Sequence, residues 1–180
     1  MSKDAKTRPL YPSLLPLWRQ ALSAWGLGVD LGLPEELLES EDLAYINLRD
    51  RRTRVNLGEL KRLGLTDHLG AFFAHEAGHH CRYPQTLVAH TKLLLRQRDL
   101  LRALETERMG GARVGKGFDP THHDHLLNLF LDVLVNDSLA DDYGADFQAI
   151  YRRMNAEAPD PRSAVFSFTL ACYDALWQLP

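Results

Sequence analysis

The sequence predicts an α+β domain, mostly helical, with one small antiparallel or mixed sheet lying against a histidine-bearing helix. Three observations carry that prediction. Apolar residues recur at helical spacing through most of the chain. Strand-like alternation is confined to one stretch, "LAYINLRDRRTRVNL" (43–57). A chain of 180 residues, 45% hydrophobic and 25% charged, suits a single domain over 1–180 with a real core.

The elements follow in order. Residues 1–9 are polar and are expected to be frayed. "SLLPLWRQALSAWG" reads as a helix capped by Ser13 and ended near Gly26. "VDLGLPEELLES" reads as a loop with a short helix after Pro34. Ala44 to Leu48 and Thr53 to Leu57 should pair as a hairpin around Asp50 and Arg51. "GELKRLG" is a brief helical turn. A longer helix should start at Thr66 or Asp67 and run through Cys81. It should stop before Pro84, because the residue preceding a proline disfavours helix. "TLVAHTKLLLRQRDLLRALETERM" is an amphipathic, heavily charged helix. "GGARVGKGF" (110–118), rich in glycine, reads as a mobile loop. Asp119-Pro120 suits the start of another helix, through about Leu139. "ADFQAIYRRMN" and "SAVFSFTLACYDALWQ" are two more helices.

Charge and cysteine usage narrow the function classes. The net charge is −3 and no basic face dominates, which argues against a nucleic-acid or anionic-membrane partner. The densest basic run, Arg49 to Arg54, is short and reads as a solvated hairpin tip. Cys81 and Cys172 are the only cysteines, so no disulfide framework is implied. No stretch resembles a signal peptide or a membrane span, so the expected location is cytoplasmic.

The chemistry concentrates in "GAFFAHEAGHH". His75 and His79 are one helical turn apart on one face, placed to grip a single metal ion. Glu76 is rotated from His75 by about 100°, near enough to handle the proton of a water on the metal's open side. This is the H-E-x-x-H arrangement of zinc peptidases, and shuffling this composition yields it only about 2% of the time. The surroundings are small and apolar: Ala71, Ala74, Ala77 and Gly78 would let other backbone approach closely. Glycine at 78 is otherwise a poor choice inside a helix. A helix with paired histidines and no metal is the plain alternative.

Two imidazoles do not complete a catalytic zinc site, which has three protein ligands and a water. The third ligand is sought in "THHDHLLNLFLDVLVNDSLADD". That helix is apolar almost all round, and so is expected to be buried. Its polar residues His125, Asn128, Asp132 and Asn136 share an arc of about 80°. A buried carboxylate needs a partner, so Asp132 is the expected third ligand. Asn136 is expected to hold the tautomer of a ligand histidine, and Asn128 to do similar work. A buried polar network without metal is the competing account. His122, His123 and His125 cluster at the helix start, where histidine is unremarkable. One of them could be an extra ligand, and His122, His125 or Tyr143 could stabilise an oxyanion. Asp99 sits among Arg96, Arg98 and Arg102 and reads as a surface ion pair. His68, His80 and His90 read as packed or surface residues.

His75-Glu76-Ala77-Gly78-His79 resembles the active-site helix of the zincin metallopeptidases. The later helix, with Asp132 one turn before Asn136, resembles the glutamate helix of gluzincins. It departs by using Asp for Glu and Asn for Asp, closer in ligand type to aspzincins. The "HEAGHH...LDVLVND" pair is also similar to metallopeptidase domains found near von Willebrand A-type proteins and AAA ATPases in bacteria. The resemblance implies a zincin-like fold and an edge strand above the His75 helix that pairs with extended substrate. Together the residues imply a zinc-dependent protease, a hydrolase of peptide bonds whose partner is a peptide or protein substrate. Zn2+ on His75, His79 and Asp132 would activate water. Glu76 would take its proton and pass it to the leaving amine. The alternative is a zinc-binding structural or regulatory subunit, whose partner would be another protein.

Overall fold

The computed structural model describes residues 6–26, 31–40, 42–106, 108–109, 112–113, 123–157, 171–173 and 175–176. Its centre is helix α3 (Leu69–Cys81), entered through a 3-10 turn at Thr66–His68. Leu69, Ala71, Phe73, Ala74, Ala77 and Gly78 are buried along it, so it is covered on nearly every face. Each large apolar side chain withdrawn from water contributes about 1.5–3 kcal/mol.

Helix α1 (Leu15–Ala24) lies along one side of α3. Trp18 meets Phe73 edge to face, with ring centroids 5.5 Å apart. The Trp25 indole N–H donates to the Ala74 carbonyl at 2.8 Å, just before Gly26 ends the segment at φ 65°. Ser13 does not cap α1: it sits inside a 3-10 turn, Pro12–Leu14, and Leu14 stands at the cap position.

A four-stranded mixed sheet covers another side. Its strands are β1 (Thr7–Pro9), β2 (Glu35–Leu37), β3 (Ala44–Asn47) and β4 (Arg52–Val55), in the order β1-β2-β4-β3. The expected hairpin is there as β3 and β4, with Arg51 at φ 59° in its turn. Two expectations are corrected. Residues 7–9 form a strand antiparallel to β2, not a frayed end. The residues after Pro34 form β2, parallel to β4, not a short helix. Long-range partners decide this: Glu35 pairs with Arg52 and Arg54, and Glu36 with Arg8 at 2.7 Å. Intrinsic helix preference of a few tenths of a kcal/mol per residue yields to such context.

Asn56 caps α2 (Leu57–Arg62), accepting from the Glu59 N–H at 2.9 Å. After Pro84 come α4 (Leu87–Thr106) and a small hairpin, β5 (Arg108–Met109) with β6 (Ala112–Arg113). The segment expected to be a loop thus contains strand β6; residues 110–111 and 114–118 lie outside the described residues. Helices α5 (His123–Ser138) and α6 (Ala140–Glu157) pack on each other and on α3. Asp119-Pro120 and most of the last expected helix also lie outside the described residues, though 171–173 and 175–176 are helical. No helix among the described residues is long and apolar enough to cross a membrane.

Candidate metal centre

Helix α3 brings His75 and His79 to one face, and α5 crosses it with Asp132 opposite. The close crossing depends on Gly78. A Cβ there would lie 2.5 Å from Trp25 Cζ2 on α1's side and 2.7 Å from Val135 Cγ1 on α5. Glycine lets α1 and α5 close on α3 from two directions at once.

The ligand-type atoms converge. His75 Nε2 and His79 Nε2 are 3.1 Å apart. Asp132 Oδ1 is 3.1 Å from His79 Nε2 and 3.5 Å from His75 Nε2. Among the described residues this is the group of His, Cys, Asp and Glu side chains able to hold a metal ion. A tetrahedral ion with ligands about 2.0–2.1 Å away has ligand-to-ligand edges of roughly 3.3–3.4 Å, and the observed triangle comes close to that. Asp132 Oδ1 is buried, and neither ring aims a hydrogen at it with hydrogen-bond geometry. The donor set, two imidazoles and one carboxylate, suits zinc.

Each ligand-type atom is oriented from behind. His79 Nδ1–H donates to the Tyr83 carbonyl at 2.9 Å. That carbonyl belongs to the turn after α3, which ends ahead of Pro84. His75 Nδ1–H donates to Asn136 Oδ1 at 2.6 Å. With both Nδ1 atoms used as donors, both Nε2 atoms present lone pairs to the shared point. Asn128 Nδ2 donates to Asp132 Oδ2 at 3.3 Å from an exposed position.

Electrostatics agree with a place for positive charge. Burial lowers the His75 pKa, but the closeness and negative charge of Asp132 outweigh it and raise it to about 9. Burial raises the Asp132 pKa, and the two histidines outweigh that and lower it to about 2. Burial raises the Glu76 pKa; the charges of His75 and His79 and the Ile46 backbone N–H pull the other way.

The triad lies where two cavities meet. One is a cleft of about 330 Å³, lined among others by Tyr45, Ile46, Glu76, His90 and Asn128. The other, about 180 Å³, is mostly apolar, with Phe72, Leu129, Phe147, Ile150 and Met154 in its wall. His75, Glu76 and Asp132 line both. Strand β3 is the outer strand of its sheet and borders the cleft. The Leu43 and Asn47 carbonyls bond towards β4's side, so Ala44 and Ile46 turn their N–H and C=O away from β4, where the Ile46 N–H meets the Glu76 carboxylate.

Other expected site residues stand apart. His122 lies outside the described residues, and of the His123 side chain nothing is described. His125 is exposed on the first turn of α5 and does not line either cavity. Tyr143 is buried in the core beside Phe147 and lines neither cavity, so as an oxyanion group it is misplaced. His68 pairs with Asp146 at 2.7 Å. Sequence reasoning passed over His90, which lines the cleft, and Tyr151 and Tyr173, whose hydroxyls surround Asn136. The available signal was Asn136 itself: an amide on an apolar helix has four hydrogen-bonding sites to satisfy.

Comparison with known proteins finds no matching family model, no matching curated protein and no matching solved structure.

Proposed function

We propose that the protein is a zinc-dependent peptidase of zincin-like architecture. The observation that carries the reading is the convergence of His75 Nε2, His79 Nε2 and Asp132 Oδ1 beside buried Glu76, at the floor of a cleft bordered by an edge strand. Zinc held by those three residues would supply Lewis acidity, acidifying water and polarising a carbonyl. Glu76 is the proton carrier. Its burial raises its affinity for a proton, so it can take one from water and return it to a leaving amine. The outward N–H and C=O of Ala44 and the C=O of Ile46 offer an extended peptide a strand to pair with. The apolar cavity beside the triad has room for one large apolar side chain next to the scissile bond. His90, which also lines the cleft, would meet a developing oxyanion.

A zinc-binding structural or regulatory subunit is the alternative. A closed set of four protein ligands would favour it; among the described residues three converge. Elemental analysis and peptide digestion test the reading. The expected result is one zinc per chain and cleavage, read by mass spectrometry, beside bulky apolar residues. Protein purified without chelator that holds no stoichiometric transition metal would sink it. Stoichiometric zinc with no peptide cleaved would leave the subunit reading.

A further inference from the structure

Asn136 is fully buried, and three groups from three elements meet its amide. Oδ1 accepts from His75 Nδ1 at 2.6 Å. Nδ2 donates to the Tyr151 hydroxyl on α6 at 3.0 Å and to the Tyr173 hydroxyl, in the C-terminal helical stretch, at 2.8 Å. The two hydroxyl oxygens are themselves 3.0 Å apart, under tilted rings with centroids 4.6 Å apart.

We propose that Tyr151 and Tyr173 are positioning residues that lock the Asn136 amide with its carbonyl towards His75, and so fix the neutral His75 ring as the tautomer whose lone pair, on Nε2, faces the metal. The inference rests on the metal-centre reading above and names the part of the chain that completes that centre from behind.

Counting protons carries the argument. In the observed orientation three contacts need three of the four hydrogens: two come from Nδ2, one hydroxyl donates to the other, and the remaining hydroxyl hydrogen is free to point out of the cluster. Turning the amide by 180° exchanges its oxygen and nitrogen. Both hydroxyls must then donate to the amide oxygen, and no hydrogen remains for the contact between them. Two buried oxygens facing each other with no hydrogen between them are costly. The turned amide would also point N–H at His75 Nδ1. His75 would then carry its hydrogen on Nε2, where an ion could not bind. The hydroxyl-to-hydroxyl contact is therefore what breaks the near-symmetry of the amide. A lone hydroxyl could donate or accept with equal ease and would not choose.

The test uses the full chain carrying Tyr151→Phe, Tyr173→Phe or both, which keep the rings and remove hydroxyls. Zn2+ affinity is read by competition with a chromogenic chelator. The double variant should bind zinc roughly 10–100-fold more weakly, the usual consequence of losing an orienting partner behind a ligand histidine. Adding Asn136→Asp should restore most of that loss, because a carboxylate accepts from His75 Nδ1 whichever way it is turned. A merely structural tyrosine pair would lower the melting temperature without this recovery. Should the double variant not fold, the single variants loaded with Co2+ serve. Their visible absorption bands should shift as the His75 imidazole loses its fixed orientation. Unchanged zinc affinity in the folded double variant, loss that Asn136→Asp does not recover, or unshifted Co2+ spectra in the single variants each overturn the proposal alone. A wild-type chain that binds neither metal overturns the metal reading and this proposal together.

Discussion

Helices α4 and α5 lie side by side, and each carries aspartate and histidine, yet their acids meet opposite fates. On α4, the Asp99 side chain is 69% exposed and stands 4.0 Å from Arg98. On α5, the Asp132 side chain is 15% exposed and its Oδ1 sits between two imidazoles. Water solvates Asp99, so its ion pair contributes little, about 0–1 kcal/mol. Asp132 has little access to water and keeps its charge only through what faces it. A carboxylate therefore says little about function until its helix face is known, and much once that face is buried.

The largest effect expected is on metal binding. Asp132→Ala should weaken zinc binding on the order of 10³-fold, one ligand's share of a total of about 10–16 kcal/mol. Asp99→Ala should leave it unchanged. Chelator competition on both variants reads the difference directly. Equal affinities would mean that burial has misled us, and that Asp132 is only the partner of a protonated His75.

Much of this contrast was readable in the sequence, because it depends on local periodicity. The spacing of His75 and His79, and the narrow arc of Asn128, Asp132 and Asn136 on an apolar helix, follow from the helical repeat. What could not be read is what depends on distant partners. Glu35-Glu36-Leu37 has helix-favouring residues after a proline, yet becomes a strand because Arg8, Arg52 and Arg54 meet its carboxylates. His90 looks like any residue of a charged helix until the cleft is seen in three dimensions. Tyr143 and Tyr151 lie on one helix, and nothing local says that one enters the core and the other reaches Asn136.

The next effect separates binding from chemistry on α3. Glu76→Gln should keep the fold and the zinc, since the carboxylate belongs to none of the three converging ligand positions. Hydrolysis should fall by roughly 10²–10⁴-fold, because an amide cannot take the water's proton. Wild-type rates on a confirmed substrate would show that Glu76 is not the base.

A smaller effect tests how the two ligand helices are held together. Gly78→Ala gains about 1 kcal/mol of helix preference, but its new methyl meets Trp25 and Val135 well inside contact distance. The Trp25 ring is tethered through its N–H to the Ala74 carbonyl and cannot retreat cheaply. Overpacking of this kind costs about 1–3 kcal/mol, so the variant should be less stable in denaturant titrations. Zinc affinity should fall with it, because α5 is pushed from α3 and Asp132 moves with α5. A variant as stable as wild type would show that the α3–α5 crossing has slack.

Gly144 on α6 reverses that sign and gives the smallest expected effect. It too is a glycine inside a helix, but a Cβ built there meets nothing within 4 Å, and its φ is not in the left-handed region. No close neighbour demands glycine, so only its backbone freedom in the unfolded chain distinguishes it from alanine. Gly144→Ala should therefore stabilise the fold by about 0.5–1 kcal/mol, seen as a higher denaturation midpoint with the same slope. Zinc affinity should not move, since nothing at position 144 touches the triad. Were Gly144→Ala to destabilise as much as Gly78→Ala, the cost at 78 could not be assigned to Trp25 and Val135. The close approach of α1 and α5 to α3 would then need another explanation.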